Sequence, residues 1–364
     1  LDELAPGDQI LLADGTVSLR VESVDRDGAE CRVVQPGVIR SRQGVNLPGV
    51  KLSVEALGEA DRANAIWAAE REIDFVGLSF VRKADDVRGL KSLLAAHHAG
   101  AQVIAKIEKP EALQDLEEIV TVADGVMVAR GDLGVETDIA RVAMAQKQII
   151  ATCNRLRKPV IVATQMLDSM THSRIPTRAE VADVSNAILD GADACMLSAE
   201  TAIGEYPRET VEMMHRIALE TERLPVGATL HDDHPHEIAV GSGLNPITET
   251  VVSHAGHLAE ELEARVVVVA TSSGATALGM AKNHHRVPTL GASDSPATLR
   301  RMCLYWGVIP LSDAPTDDSA ALLRYVTDLG RREGVLAAGD RIVLVAGTGL
   351  SATRHNMIVV HELT

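Results

Sequence analysis

VIAKIEKPEALQDLEEIVTVADGVMVARGDLGVE, residues 103–136, decides how the chain is read. Residues 103–107 are an apolar run broken by one lysine, the pattern of a buried parallel strand. Lys106 and Glu108 stand two residues apart, so both point to one side where that strand ends. Pro110 then opens a helix at its first position. A second apolar run, 126–129, ends in Arg130-Gly131-Asp132. Two neighbouring strand ends therefore present one cation, Lys106, and two carboxylates, Glu108 and Asp132, to a common crevice. That set suits a phosphate clamp: the acids hold a hard divalent ion and the lysine meets the same phosphate from the other side. Taken alone, a Lys-x-Glu is more simply a surface salt bridge beside two core strands.

Working outward, strands and helices alternate from residue 45 to about 223. Strands are expected near 45 and over 75–79, 103–107, 126–129, 160–163 and 194–197. Helices are expected over 60–70, 85–97, 111–122, 138–155, 178–189 and 207–222. Repeated βα units with polar residues at the strand ends imply a parallel barrel whose working face is the C-terminal one. Six units are expected here, where a closed (β/α)8 barrel needs eight. Thr177 and Glu180 have the spacing of a capping box.

Before the barrel, residues 1–43 read as a small β module with strands over 9–12, 17–24 and 31–35. Gly7-Asp8, Asp14-Gly15 and Asp27-Gly28 punctuate it as turns. After it, residues 225–244 form a polar linker containing His231, His234 and His236, which reads as a linker before it reads as a metal site. His97-His98 and His284-His285 are adjacent pairs, and neighbours on a helix face different ways, so neither is a good chelate. Residues 245–364 form an open α/β sheet with strands over 265–270, 287–291, 308–311, 341–345 and 357–361. Its run of four valines, Val266 to Val269, marks the central strand. The first crossover there carries Thr271-Ser272-Ser273-Gly274-Ala275-Thr276-Ala277. Such a loop at a helix N-terminus can offer amides to a phosphate. Ordinary helix capping needs only one of these hydroxyls and is the simpler reading of the motif.

The net charge is −16, and acids exceed bases. Nucleic acid is not an expected partner, because phosphate backbones need clustered Lys and Arg. Nor is a membrane, for no apolar run has spanning length. The four cysteines, Cys31, Cys153, Cys195 and Cys303, form no CxxC pair and read as buried thiols of a cytoplasmic protein. The first residue is Leu1, not Met, and the expectation is that the natural chain begins upstream.

Residues 101–113 resemble the active-site signature of the pyruvate kinase family, and residues 127–136, MVARGDLGVE, resemble its next block. Gly44-Val45-Asn46-Leu47-Pro48-Gly49 resembles the block that closes the family's lid domain. The resemblance implies an α/β fold: an incomplete TIM (β/α)8 barrel, an inserted small β-barrel lid domain and a C-terminal open α/β sheet domain. It implies a lid over 1–43, a barrel domain with six of eight units over 44–224, a linker over 225–244 and an effector-type domain over 245–364. The family's first two barrel units would precede Leu1, which would leave two open sheet edges.

The implied activity is phosphoryl transfer from phosphoenolpyruvate to ADP, giving pyruvate and ATP at the last step of glycolysis. By resemblance Glu108 and Asp132 are the ligands of Mg2+ or Mn2+, and Lys106 and Thr164 are catalytic. Lys106, Gly131, Asp132 and Thr164 line the substrate, with the Gly131 and Asp132 amides seating its carboxylate. K+ is implied, with ligands outside this chain, as are a homotetramer and a sugar-phosphate or nucleotide effector. The effector's phosphate would meet Thr271, Ser272, Ser273, Gly274 and Thr276. The chain departs from the family at Gln43, where a lysine reaches the nucleotide; Arg40 and Arg42 lie nearby. It also departs at Ala199, at Ala275 and over residues 351–356. The arginine that grips the substrate phosphate, the monovalent-cation ligands and part of the nucleotide site are absent, so residues 1–364 are expected to be inactive alone. Two alternatives are a catalytically silent paralogue that binds a phosphorylated effector, and a carbon–carbon lyase on the same barrel. The lid and the C-terminal domain argue against the lyase.

Overall fold

The computed structural model describes residues 3–13, 15–41, 43–50, 56–223, 244–347 and 355–364. Asp14, Arg42, the linker histidines His231, His234 and His236, and residues 351–354 lie outside the described residues.

The chain opens with β1 (Gln9–Leu12), β2 (Val17–Val24), β3 (Ala29–Gln35) and β4 (Val45–Asn46), an antiparallel sheet in the order β3-β2-β1-β4. Leu12 pairs with Val17 across a tight turn in which Gly15 takes φ +82°. Glycine adopts that conformation without a Cβ clash. Leu11, Val17 and Val21 are buried. The placement of Val45 corrects the sequence reading, which made it the first barrel strand. It pairs antiparallel with Leu12 instead and is 60% exposed. A two-residue, half-solvated segment cannot serve as a strand buried on both faces of a parallel sheet.

There follow α1 (Glu59–Glu70), β5 (Phe75–Leu78), α2 (Ala84–Ala96), β6 (Gln102–Ile107), α3 (Pro110–Gln114), α4 (Leu116–Val122) and β7 (Gly125–Ala129). Next come α5 (Arg130–Glu136), α6 (Ile139–Arg155), β8 (Val160–Ala163), a 3₁₀ turn (Asp168–Thr171), α7 (Arg178–Leu189), β9 (Ala194–Met196), α8 (Ala199–Ala202) and α9 (Pro207–Glu222). The strands form one sheet in the order β5-β6-β7-β8-β9. Parallel registers align Val76 with Val103 and Lys106 with Met127. Among the described residues the sheet has five strands, not the six expected, and stays open rather than closing into a barrel. Residues 111–122, expected as one helix, break at Asp115, whose φ is −108°. Its carboxylate accepts the Ala84 N–H at 2.8 Å, satisfying an orphan donor at the start of α2.

The remainder is α10 (Pro246–Glu261), β10 (Val266–Ala270), α11 (Ala275–Ala281), β11 (Thr289–Ala292), α12 (Pro296–Met302), β12 (Val308–Leu311), α13 (Ser319–Arg332), β13 (Arg341–Ala346) and β14 (Met357–Glu362). The sheet runs β12-β11-β10-β13-β14, parallel except for β14 at the edge. β10 is its centre, and its valines divide between two cores as a two-residue period requires. Val267 and Val269 pack with Val252, Ala277 and Met302, while Val266 and Val268 pack with Leu322 and Val326.

By packing, the chain forms two compact units. One comprises Leu1–Thr152, Ile161–Val181 and Met196–Met213; the other comprises Cys153–Val160, Ala182–Cys195 and Met214–Thr364. The limits 1–43, 44–224, 225–244 and 245–364 follow the family resemblance and are a separate, proposed division. Within the second unit Lys282 Nζ meets Asp193 Oδ2 at 2.5 Å, with both side chains fully buried. Asp193 Oδ2 also accepts the Val160 N–H at 2.8 Å. Arg157 and Glu249 make a second shielded pair at 2.7 Å.

The expectation of four buried thiols needs correction. All four are reduced thiols, but only Cys153 is buried; Cys31 and Cys195 are half-buried and Cys303 is exposed. Their side chains follow the elements that carry them, and one face of each amphipathic element meets solvent. Burial pushes the Cys153 thiol up to about 12. An aromatic disulfide reagent at pH 8 should therefore label Cys303 quickly and Cys153 only after unfolding. One fast phase covering all four thiols of the native protein would contradict this burial.

Candidate functional site

β6 delivers Lys106 and Glu108 to the same side of its C-terminal end, as alternation along a strand requires. Lys106 Nζ lies 2.6 Å from Glu108 Oε1 and donates to Ser79 Oγ at 2.7 Å. Glu108 is 1% exposed, and its Oε2 accepts the Phe80 N–H at 2.6 Å. Phe80 sits just past β5 with φ +54°, a left-handed backbone unusual for a bulky residue. Ser79 and Phe80 carry no motif of their own; only the β5–β6 pairing brings them to the lysine and the glutamate.

Asp132 lies in the first turn of α5, which begins directly at the end of β7. That helix was not expected, and it alters the proposed carboxylate seat at Gly131 and Asp132. The Gly131 amide is not open to a ligand in this structure: it donates to Thr164 Oγ1 at 2.7 Å. A Cβ on Gly131 would meet the Thr164 side chain at 3.5–3.6 Å, ordinary contact. Thr164 in turn donates its hydroxyl proton to Ala163 O at 2.6 Å. Its backbone and that of Gln165 are left-handed, with φ of +69° and +53°.

The fit of a divalent ion rests on donor chemistry. Glu108 Oε1 is buried, and the Lys106 ammonium lies 2.6 Å from it. A buried carboxylate at a strand end supplies the hard oxygen donors that a divalent cation takes. Among the described residues no three His, Cys, Asp or Glu side chains gather into a set that could hold a metal. Two carboxylates such as Glu108 and Asp132 would leave substrate and water oxygens to complete six-coordination about Mg2+.

Other buried carboxylates of the same unit are also partnered. Glu136, at the end of α5, is buried; Lys109 Nζ pairs with its Oε1 at 2.6 Å and Asn46 Nδ2 donates to the same oxygen at 2.9 Å. The Lys109 ammonium also stands 5.7 Å over the Phe80 ring. Glu200 is buried and accepts the N–H groups of Ser198 and Leu167 at 2.7 and 3.2 Å. Ala199, where the family has glycine, lies in α8 and is not among the residues with positive φ, so its methyl costs no backbone strain.

The capping box at the start of α7 is formed as its spacing requires. Glu180 N–H donates to Thr177 Oγ1 at 3.2 Å, and Thr177 N–H donates to Glu180 Oε2 at 2.7 Å. Glu180 also accepts from the Ser169 amide and hydroxyl at 2.7 and 2.6 Å. Burial raises the pKa of this carboxyl, but the hydrogen bonds from Ser169 and Thr177 outweigh it and hold the group below its ordinary value.

In the other unit the loop before α11 shows what capping makes of its hydroxyls. Thr271 Oγ1 accepts the Gly274 N–H at 3.0 Å, and Ser273 Oγ accepts that of Ala275 at 3.4 Å. Gly274 takes φ +86°. Ser272 O accepts from Thr298, and Thr276 Oγ1 lies 3.2 Å from His355 Nδ1. Burial lowers the His355 pKa, which favours its neutral form. His284 and His285 do face different ways: His284 lies against Trp306, with ring centroids 4.8 Å apart, and His285 Nδ1 lies 3.3 Å from Glu260 Oε2. On the lid, an open groove of about 390 Å³ is lined by Ala13, Thr16, Val38, Arg40, Gln43 and Gly44. The Arg40 N–H donates to Gln43 Oε1 at 2.6 Å there. No helix among the described residues is long and apolar enough to cross a membrane.

Comparison with known proteins returns one family for both parts of the chain. The family model described as the pyruvate kinase barrel domain matches residues 1–211, and that of the pyruvate kinase alpha/beta domain matches residues 249–361. Pyruvate kinase from Geobacillus stearothermophilus is 41% identical over 368 aligned residues, covering 100% of this chain and 62% of that protein. Pyruvate kinase 2 from a Synechocystis species is 41% identical over 349, covering 95% and 58%. Pyruvate kinase from Clostridium acetobutylicum is 37% identical over 361, covering 98% and 75%. The chain thus spans about three fifths of the length of the first two relatives.

Proposed function

The chain belongs to the pyruvate kinase family, and on that premise we propose that it carries the metal and lysine side of a site transferring a phosphoryl group from phosphoenolpyruvate to ADP. The observation that supports this reading is the Lys106–Glu108 pair at the end of β6, 2.6 Å apart, with the glutamate buried and the lysine side chain 26% exposed. Glu108 and Asp132 would hold Mg2+ or Mn2+, which when bound neutralises charge on the transferring phosphoryl oxygens. Lys106 stabilises the same group as a fixed cation, already oriented by Glu108 and Ser79. Thr164 holds a hydroxyl at the exit of β8, the group that would pass a proton towards the enolate.

K+ belongs to this reading with ligands outside residues 1–364, as does the arginine that grips the substrate phosphate; these residues by themselves supply only part of the site. The reading also takes in a cytoplasmic homotetramer and a phosphorylated sugar or nucleotide effector at Thr271, Ser272, Ser273, Gly274 and Thr276. Both family matches argue against a carbon–carbon lyase.

Titration with Mn2+, followed by water proton relaxation, tests the metal assignment. Asp132→Ala should weaken binding by about tenfold or more, since even groups that only orient a ligand contribute that much. Equal affinity in the two proteins would sink it.

A further inference from the structure

We propose that Arg130 is a positioning residue that clamps the exit of β8 and so sets the hydroxyl of Thr164; the inference deepens the reading above and rests on it for the role of Thr164. Thr164 and Gln165 are consecutive non-glycine residues with φ of +69° and +53°. A β-branched residue in that region is an outlier, and such strain persists only where the surroundings over-determine it. One side chain reaches the carbonyls of both residues. Arg130 Nε and Nη2 donate to the Thr164 carbonyl at 3.2 and 2.6 Å, and Nη2 reaches the Gln165 carbonyl at 3.2 Å.

The left-handed turn is what lets two successive carbonyls converge on one donor group, because in an extended strand they would point to opposite sides. The fork sets two nitrogens, Nε and Nη2, on the Thr164 carbonyl while Nη2 also reaches that of Gln165, a fixed planar geometry that the single nitrogen of a lysine does not reproduce. The fork is itself held: Nη1 lies 3.4 Å from Oε1 of Gln146, which is buried on α6. The neighbouring residue completes the grip, since the Gly131 amide donates to Thr164 Oγ1 at 2.7 Å. One dipeptide, Arg130-Gly131, thus holds both the main chain and the side chain of Thr164. Arg130 acts through Thr164, not on the substrate.

The test uses Arg130→Met, Arg130→Lys and the double variant Arg130→Met with Gln165→Gly, each in the protein carrying the whole chain and extended to the length of its relatives. Hydrogen–deuterium exchange, read by mass spectrometry on peptides covering residues 160–171, reports the clamp without any activity. Arg130→Met should speed exchange there and not in β10. It should also lower kcat by about 10- to 100-fold, the penalty of a misplaced group, with KM for phosphoenolpyruvate changed less than about threefold. Lysine should not rescue. Glycine at 165 accepts positive φ freely and should restore part of kcat in the methionine background. Unchanged exchange over 160–171 would overturn the proposal, as would a kcat loss that follows global unfolding and ignores the glycine. Failure of the unsubstituted protein to transfer phosphate would instead count against the functional reading, with the exchange measurement still deciding the clamp.

Discussion

Lys106→Met is expected to lower kcat for phosphoryl transfer by about 10²- to 10³-fold in the protein extended to the length of its relatives, as for other preorganised electrostatic donors. Methionine keeps most of the stem and removes the charge. The ammonium it deletes is not a loose surface charge: it is fixed between Glu108 Oε1 at 2.6 Å and Ser79 Oγ at 2.7 Å, on a side chain 26% exposed. A cation held this way needs no reorganisation when negative charge develops nearby, so its contribution appears mainly in the transition state. Substrate affinity and Mn2+ affinity should change far less than kcat. Enolisation of pyruvate should persist where Thr164 and a water deliver the proton, while ATP formation is lost. Steady-state kinetics coupled to lactate dehydrogenase measures the first, and solvent proton exchange into pyruvate measures the second. Near-normal kcat with weakened Mn2+ binding would show that Lys106 serves structure and that the transfer step belongs to another residue.

Lys282→Met should destabilise the protein by about 3–5 kcal/mol, the cost of leaving one partner of a buried ion pair uncompensated. Both side chains of the Lys282–Asp193 pair are fully buried, so water cannot take over the solvation of the stranded carboxylate. Asp193 Oδ1 already lacks a hydrogen-bond partner, and Oδ2 keeps only the Val160 N–H once the lysine is gone. Equilibrium urea unfolding gives the loss as a fall in midpoint at unchanged slope. Adding Asp193→Asn should recover most of it, because the neutral amide retains an oxygen for Val160 and carries no charge to strand. A loss below about 1 kcal/mol, the range of solvated surface pairs, would mean that water reaches the pair.

Much of the fold was legible because it rests on local periodicity. The bounds of β1, β2, β8, β12, α7 and α9 follow from alternation, apolar runs, proline and capping residues without any tertiary information. So does the placing of Lys106 and Glu108 on one side of a strand end, which depends only on the two-residue repeat. The Thr177–Glu180 box is likewise a contact three residues long.

The features that escaped are those whose cause lies far along the chain. Val45 reads as a barrel strand, since a β-branched residue looks alike in either sheet; only pairing with Leu12 decides which one it joins. Residues 111–122 look helical throughout, and the break at Asp115 answers a need of Ala84, 31 residues earlier. Glu136 carries no local sign of burial; Asn46, 90 residues away, and Lys109 bury it. The left-handed backbone of Thr164 and Gln165 contradicts their own propensities and is sustained by Arg130, 34 residues back. From its sequence alone this chain determined its repeating αβ architecture, its family and the meeting of Lys106 with Glu108, because each is written in neighbouring residues. Only the tertiary structure decided which strands share a sheet, which charges are buried and which backbone carbonyls Arg130 clamps, because desolvation and strain are set by groups that meet in space and not in sequence.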